Sequence, residues 1–314
     1  MTWARLAFRL QRSSIGFAAL VCLGLAGVLG WLTVSLPSML AECAAPWAPH
    51  DCGVIHLFGS PLGGTVMMTQ LGVGLAMYAV PLVLGVPVLT SEIERRTAMI
   101  AWPLAGSRLK WLAWRAGSVF VIGVVLIGVM AFAAELMVGA SDPGAELGFA
   151  YHGTRGISLM TRAGLVLVMA VALGAVVGRL LPALLIGIAL AVGLSTAVGA
   201  LPPYGVASTE ITPSEVTPTE SSFEGGQPFQ TGHAYRAPDG TPISDDEAEA
   251  MFMAVYAEYS PDLPPDSVLP QDVYYGIAGS RYCEVLARES AVLVGAAVLV
   301  AGVGAVVVQR RRPE

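Results

Sequence analysis

Side chains that could carry out catalysis or bind a nucleotide are few in this chain of 314 residues. Neither His-Glu-x-x-His nor Gly-x-Ser-x-Gly occurs. A P-loop requires Gly-Lys followed by Ser or Thr, because the lysine and the backbone N–H groups hold the phosphates. The only lysine, Lys110, is followed by Trp111. We therefore predict that the chain is not an enzyme, has no catalytic residue and binds no cofactor, so that any ATP is bound by another subunit.

Cysteine and histidine side chains near residue 50 allow two interpretations. Cys43 and Cys52 bracket a short loop, and a disulfide between them is expected if the loop faces an oxidising compartment. His50 and His56 lie beside them, but the spacing Cys-x6-His-x-Cys-x3-His matches no common zinc-binding pattern. Cys283 is left over and could pair with either cysteine instead. We predict the disulfide, with a zinc site as the alternative.

The elements that must position these residues are membrane-spanning helices. The chain is 55% hydrophobic and 13% charged, whereas soluble domains carry roughly 25% charged residues. A helix needs about 20 apolar residues to cross the hydrocarbon core. Six stretches reach this length, namely residues 14–36, 66–90, 117–139, 160–178, 181–201 and 290–308. The first apolar run is too long for a signal peptide, so we expect a retained span.

The fourth and fifth spans come from one apolar block, residues 157–201, with Arg179 near its middle. An arginine at the bilayer centre costs about 3 kcal/mol. Pro182 follows closely. A hairpin that turns at residues 178–182 places Arg179 at the membrane interface and removes this cost. We therefore predict two spans in this block.

The distribution of basic residues predicts the orientation of the spans, because inner segments carry more Lys and Arg than outer ones. With a cytoplasmic N-terminus, twelve of the seventeen basic residues fall in the inner segments, which are 1–13, 91–116, 179–180 and 309–314. Nearly all carboxylates then lie outside. We expect a multi-pass protein of the plasma membrane with both termini in the cytoplasm.

The largest predicted outer segment, residues 202–289, precedes the last span. Its first part, from Ser208 to about Asp246, is rich in Pro, Ser, Thr and Gly, a composition that buries little apolar area and favours flexible chain. Ser244 then begins a helix of about 15 residues, since acidic residues fill its first turn. We expect a second short helical stretch through Asp272–Glu289 into the last span.

The inner segment 91–116 contains the side chains best suited to contact another protein. Ser91 can cap a short helix that has acidic residues in its first turn. Pro103 and Gly106 interrupt this helix before a basic, tryptophan-containing return to the membrane. One interpretation is an ordinary basic loop with aromatic anchors at the interface. The other is a short rigid helix that a cytosolic partner pushes in order to move the spans.

Ionisable residues inside the spans are nearly absent. Glu135, a few residues from the outer end of the third span, comes closest. It lies either in the headgroup layer or facing a substrate path. A proton-coupled transporter would usually contain several buried acids or bases, so we expect any transport to use energy supplied elsewhere.

Glycines at short intervals mark two of the spans. The first contains Gly24, Gly27 and Gly30, and the fourth contains Gly174 and Gly178. Small residues at this spacing let two helices approach closely. These glycines could serve either packing between helices of one chain or contact with a second copy.

Three groups of residues resemble a known family. They are Glu92-x-Glu94-x2-Thr97-x3-Ala101-Trp102 with Ser107-Arg108-x2-Trp111-Leu112, then Leu173-Gly174-x3-Gly178-Arg179-x2-Pro182-Ala183, and Ser280-Arg281-Tyr282 with Glu289. With six spans and a long outer segment before the sixth, they resemble ABC-2 type permeases, notably the actinobacterial subgroup. Where the third pattern usually has Trp and Gln, this chain has Cys283 and Leu286.

The resemblance implies an all-α polytopic membrane protein with six transmembrane helices, like type V ABC exporters. It implies a dimer with a second permease copy or a sister permease, and a cytosolic ABC ATPase subunit that binds ATP. The residues that couple to this ATPase would be Glu92, Glu94, Arg95, Arg96, Thr97, Trp102 and Arg108. An amphipathic helix from Trp3 to Gln11, within 1–13, would lie along the inner surface of the bilayer.

The resulting prediction is the permease subunit of an ABC exporter. Its weakly charged spans favour an amphipathic or lipid-like cargo over ions or sugars, and we expect no nucleic-acid partner. One alternative is a non-transport membrane protein, such as an immunity or signalling module that binds a partner through its outer segment. Another is a membrane-embedded enzyme. Recovery of a P-loop ATPase together with the chain would favour the permease.

Overall fold

The computed structural model describes residues 3–43, 61–94, 107–141, 148–200, 203–211, 228–259 and 269–310. The chain divides into two compact units. The helical unit comprises Met1–Ser141, Tyr151–Leu201 and Leu286–Glu314, and the sheet unit comprises Asp142–Ala150 and Pro202–Val285. Most of the predicted outer segment, residues 202–289, thus belongs to the sheet unit.

The longer helices supply the apolar surface that a bilayer requires. They are α1 (Trp3–Cys43), α2 (Pro61–Gly85), α3 (Pro87–Glu94), α4 (Arg108–Ser141), α5 (Gly156–Val177), α6 (Leu180–Ala200), α7 (Asp245–Tyr259) and α8 (Tyr282–Arg310). Within the described residues, five helical stretches are long and apolar enough to cross a membrane, and they lie in α1, in α2 with α3, in α4, in α5 and in α8. The chain is therefore a polytopic membrane protein.

Helix α6 corresponds to the predicted fifth span, residues 181–201. It has 21 residues, but its apolar stretch among the described residues, Leu180–Leu194, is shorter than a span. The sixth membrane crossing therefore remains a prediction.

Helix α1 is continuous through the predicted boundary at residue 13. It has 41 residues, which at 1.5 Å per residue makes it about 60 Å long. Between Arg12 and Ser14 the sequence contains neither Gly nor Pro, so nothing there interrupts the backbone hydrogen bonds. The amphipathic start that we expected as a separate surface helix is continuous with the first span.

The second span is interrupted where α2 meets α3. Helix α2 ends at Gly85, and α3 begins at Pro87, whose nitrogen has no hydrogen to donate. The backbone N–H of Val86 still donates to the carbonyl oxygen of Leu82 at 3.1 Å. The two helices therefore form one membrane-crossing stretch, Gly64–Glu94.

The turn between α5 and α6 is the hairpin predicted at residues 178–182. Gly178 adopts a left-handed conformation (φ 68°), and its N–H donates to the carbonyl oxygen of Gly174. This is a helix C-terminus for which glycine is favoured. Arg179 follows, and α6 begins at Leu180. The predicted turn is confirmed.

Close packing around α5 explains Gly174, the first glycine of the predicted pair. A Cβ atom added to Gly174 would lie 2.8 Å from the carbonyl oxygen of Val86. The adjacent core is formed by buried residues of α2, α5 and α6 with the residue after α2, namely Leu82, Val86, Val166, Ala170, Ala183 and Ala191. Packing within the chain is confirmed for Gly174. A Cβ on Gly24, Gly27 or Gly30 would meet nothing within 4 Å.

The sheet unit contains a four-stranded antiparallel sheet. Its strands are β1 (Thr209–Ile211), β2 (Phe229–Arg236), β3 (Pro242–Ile243) and β4 (Gln271–Ile277). The strand order is β1-β4-β2-β3, and the register of β2 with β4 shifts between Gln230 and Gly232. Phe149 packs against Phe229 and Tyr282, with ring centroids 5.5 and 5.3 Å apart.

This sheet corrects two predictions. The helical stretch expected through Asp272–Glu289 is strand β4 as far as Ile277, where Val and Tyr residues favour a strand, and it is helical only from Gly279 onward. The flexible chain expected from Ser208 to Asp246 contains β1, β2 and β3. Pairing between β2 and β4 joins residues about 40 positions apart, which local composition does not reveal. The fold is therefore not all-α, although it is mostly helical.

Helix α7 confirms the predicted helix after Ser244. The Ser244 hydroxyl accepts a hydrogen bond from the N–H of Glu247, while the Glu247 carboxylate accepts one from the N–H of Ser244 at 2.9 Å. This reciprocal pair is a capping box. The helix has 15 residues, Asp245–Tyr259.

Candidate functional site

The candidate coupling site consists of the two flanks of the connector between α3 and α4. Three of its predicted residues, Glu92, Glu94 and Arg108, lie on these flanks within the described structure. The other four, Arg95, Arg96, Thr97 and Trp102, lie outside the described residues. Each of the three described side chains contacts a different helix.

Glu92 forms an ion pair with Arg115 of α4, and both side chains are at most 10% exposed. The Arg115 guanidinium also lies 5.8 Å from the ring centroid of Trp111. A buried ion pair costs desolvation energy, but removal of one partner leaves an uncompensated buried charge. The pair therefore joins the end of α3 to the start of α4. Trp111, a tryptophan of the predicted return to the membrane, is buried beside this pair.

Glu94 contacts the beginning of α6. Its Oε1 accepts a hydrogen bond of 2.7 Å from the backbone N–H of Leu180, the first residue of α6. N–H groups at a helix start have no partner within the helix, and a negative charge is favourable there. The last residue of α3 is thus bound to the turn between α5 and α6.

Arg108 contacts the end of α8. Its Nη1 donates a hydrogen bond of 3.1 Å to the carbonyl oxygen of Gln309. Carbonyl groups in the last helical turn lack partners, and a positive charge is favourable at this end. The two flanks of the connector are therefore linked to each other and to α6 and α8.

A second polar cluster lies in the helical unit around Glu289 of α8, which is 0% exposed. Its Oε1 accepts a 2.6 Å hydrogen bond from Nε of Arg162. Its Oε2 lies 2.9 Å from Nε2 of His152 and accepts a 3.1 Å bond from the Ser158 hydroxyl. The cluster joins α8 to α5 and to the segment before α5.

The chain leading into α5 contains three residues in the left-handed conformation, two of which are glycines. Tyr151, Gly153 and Gly156 have φ values of 53°, 88° and 52°. A Cβ atom added to Gly156 would lie 2.7 Å from Oε2 of Glu135. Arg155, 0% exposed, donates to Oε1 of that carboxylate at 3.0 Å. Glu135, for which two interpretations were open, is therefore ion-paired within the chain.

The Glu289 cluster is not among the predicted site residues. Glu289 was predicted only as part of the family pattern before the last span. No role was predicted for Arg162, which lies in the predicted fourth span. The available signal was an Arg and a Glu within apolar stretches, where charges are expected to pair. That these two residues pair with each other could not be inferred from the sequence, because they lie 127 positions apart.

The predicted disulfide is not tested by the structure. Cys52, His50, His56 and the side chain of Cys43 lie outside the described residues. Cys283 is exposed and free, and Cys22 is buried.

Comparison with known proteins identifies the family. A family model described as "ABC-2 membrane transporter related" matches residues 16–201. No curated protein and no solved structure gives a significant match. The matched region includes α2 to α5 and both flanks of the connector. The chain therefore belongs to the ABC-2 membrane transporter related family and is a permease component of an ABC transporter.

Proposed function

We propose that this permease exports an amphipathic or lipid-like compound, using ATP that a cytosolic ATPase subunit hydrolyses. The chain lies in the plasma membrane with six spans and both termini in the cytoplasm. It forms a dimer with a second copy or with a sister permease of the same family, as in the actinobacterial members that it resembles. The connector from residue 91 to residue 116 contacts the ATPase.

The observation that supports this proposal is the set of three links at the connector flanks. Glu92 binds Arg115, Glu94 binds the N–H of Leu180, and Arg108 binds the carbonyl oxygen of Gln309. A force applied to the connector is therefore passed to α4, α6 and α8 as well as to α3. An isolated surface loop would not transmit such a force, because it would move without the spans.

The links also suggest how ATP binding is converted into movement. Closure of the ATPase displaces the connector. The helices that the connector flanks bind then move with it as rigid bodies, because closely packed helices switch between discrete arrangements. The ATPase can change the equilibrium between inward-open and outward-open states only through contacts that differ between them. The charged residues Arg95 and Arg96 are the proposed contacts.

The experiment compares ATP hydrolysis by the ATPase co-purified with wild-type permease or with Glu94→Arg. The variant replaces a negative charge by a positive one at the start of α6. We expect the permease-dependent increase in hydrolysis to be lost while the two proteins still co-purify. The control is Glu249→Arg, on an exposed position of α7.

Permease-dependent hydrolysis that survives Glu94→Arg, and also survives Arg95→Glu and Arg96→Glu, would show that the connector does not couple to the ATPase. Failure to recover any P-loop ATPase with the wild-type chain would contradict the transport proposal itself.

A further inference from the structure

Four side chains of β2 and β4 lie together on one face of the sheet. His233 is paired with Tyr274, and Tyr235 is paired with Asp272. Side chains directly opposite each other on paired strands project from the same face, as do side chains two residues apart on one strand. One imidazole, two phenols and one carboxylate therefore share this face of the sheet unit.

The aromatic rings on this face meet at steep angles. The ring centroids of His233 and Tyr235 are 4.5 Å apart, with 81° between the ring planes. Phe252 of α7 lies 6.0 Å from Tyr235 at 78°, and Tyr274 lies 5.6 Å from His233 at 44°. We call these four residues the aromatic corner. Because its rings do not stack face to face, ring faces remain available to a further group.

A carboxylate with no permanent counter-charge lies beside the aromatic corner. Nε2 of His233 is 3.4 Å from Oδ1 of Asp272, and the two side chains are 34% and 44% exposed. Within the described residues His233 is the ion-pair partner of Asp272, and it is charged only if protonated. The only Lys or Arg in the four strands, Arg236, donates hydrogen bonds of 2.9 and 2.8 Å to Glu210. The charge of Asp272 is therefore accessible to a cation from solvent.

A second carboxylate contributes to a negative potential at this face. Burial and the negative charges of Asp272 and Asp245 raise the pKa of the Tyr235 phenol, because an ionised phenol would place another negative charge near them. Asp245 is the first residue of α7. The same potential that disfavours a phenolate favours a positive charge beside Tyr235.

We propose that the aromatic corner binds a small organic cation with an alkylated ammonium group, and that Asp272 is its counter-charge. Alkylated ammonium ions are attracted to the faces of aromatic rings. The rings and the carboxylate together select a ligand that is both charged and partly apolar. The site lies within the sheet unit, and binding does not depend on the proposed export function.

The test uses the purified full-length chain in dodecyl maltoside micelles, which contain no ammonium group. The probe is choline, and saturation-transfer difference NMR of its methyl protons gives the dissociation constant from a titration. The control ligand is the carbon analogue of choline, in which an uncharged carbon atom replaces the nitrogen. We expect a saturable signal for choline and a much weaker one for the analogue. Equal signals, or no saturable signal for choline, would overturn the proposal.

Asp272→Asn removes the proposed counter-charge at nearly constant side-chain volume. We expect the dissociation constant of choline to rise about threefold, since an exposed charge pair contributes modestly. Asp246→Asn is the matched control, because Asp246 is exposed and lies about 120° around α7 from Phe252. The same rise in both variants would show that only the overall charge of the sheet unit matters, and would refute the role of Asp272.

Two substitutions of Tyr235 separate the ring from its hydroxyl group. Tyr235→Phe keeps the ring and should bind choline like wild type, whereas Tyr235→Leu should weaken binding about threefold. Because Tyr235 also packs against Phe252, Tyr274→Leu repeats the test at a ring of β4. Wild-type binding by both Leu variants would rule out the aromatic corner as the site.

The source of the ammonium group is tested by repeating the titration in nanodiscs. Phosphatidylcholine carries the same trimethylammonium group as choline, and phosphatidylglycerol carries none. Choline binding that is weakened only in phosphatidylcholine identifies a lipid headgroup as the ligand, whereas equal binding in both lipids identifies a free solute. Either result supports an ammonium site, and loss of choline binding in both lipids would contradict it.

Discussion

Buried charges in the helical unit occur in pairs. Glu289 faces Arg162, and Glu92 faces Arg115, with both carboxylates nearly or completely removed from solvent. Such pairs add little net stability compared with apolar residues of the same size, but loss of one partner is costly because it leaves a charge without a counter-charge. Their value here lies in specifying which helices meet, since an ion pair in an apolar environment does not tolerate displacement.

Glu289→Gln should lower the stability of the helical unit strongly. The substitution leaves Arg162 without its carboxylate, and breaking a buried pair costs about 3–5 kcal/mol. The double variant Glu289→Gln with Arg162→Met should be less destabilised than the single one, because no charge then remains unpaired. Thermal unfolding of the detergent-solubilised protein measures both. Additive effects of the two substitutions would show that the residues do not interact energetically.

At the scale of elements, helix ends and turns determine how the spans are joined. Gly178 ends α5 in a left-handed conformation. The carboxylate of Glu94, from another part of the chain, accepts a hydrogen bond from the first backbone N–H of α6. The turn between the two helices is therefore held both by its own backbone and by the connector flank. Small distortions in this turn should affect the position of α6.

Gly178→Ala should destabilise the turn by about 1 kcal/mol, because a Cβ is unfavourable at positive φ. Gly193→Ala, at an exposed position within α6 where a Cβ meets nothing within 4 Å, should have the opposite sign, since alanine favours a helix. Thermal unfolding of the two variants provides the comparison. Equal effects in the same direction would argue against the left-handed turn.

The capping box of α7 predicts a pH dependence of the sheet unit. The backbone and side-chain hydrogen bonds from Ser244 hold the pKa of Glu247 below its usual value. Because the folded pKa is depressed, the stabilisation is present above the unfolded pKa of about 4.3 and is lost as pH falls through the folded value. Hydrogen exchange of residues 245–259, corrected for intrinsic rates, should show protection that decreases over this range.

Glu247→Gln removes the titrating group from this capping box. In this variant, protection of the first turn should be lower at neutral pH and should no longer change through the acidic range. Asp245→Asn is a suitable control, since it alters a neighbouring carboxylate in the first turn that is not part of the reciprocal pair. A pH profile of Glu247→Gln identical to that of wild type would exclude the capping box as its cause.

At the scale of the whole molecule, the proposed orientation places the connector in the cytoplasm and the segment 202–289 outside the cell. In a background without the other cysteines, Ser107→Cys should react with a membrane-impermeant maleimide only after cells are permeabilised. The native, exposed Cys283 should react in intact cells. Reaction of Ser107→Cys in intact cells would reverse the orientation and remove the proposed contact with a cytosolic ATPase.

Much of the helical unit was predictable from the sequence because each span is a local property. The apolar runs and the turn at Gly178 depend on residues that are close together in the chain, and so does the helix that starts after Ser244 in the sheet unit. The four-stranded sheet was not predictable in this way, since β2 and β4 are stabilised by pairing across about 40 positions. Within the candidate site, Glu92, Glu94 and Arg108 were predicted from the resemblance to ABC-2 type permeases, but their partners Arg115, Leu180 and Gln309 were not predicted.

The sequence by itself determined that the chain enters a membrane and that twelve of its seventeen basic residues lie in the segments predicted to face the cytoplasm, because hydropathy and charge are counted along the chain. It also carried the resemblance to ABC-2 type permeases. Only the tertiary structure decided which helices the connector flanks bind, which carboxylates are buried with arginines and which aromatic side chains of β2, β4 and α7 meet. These contacts, ion pairs and clusters depend on residues that are distant in the sequence and come together only when the helices and strands pack.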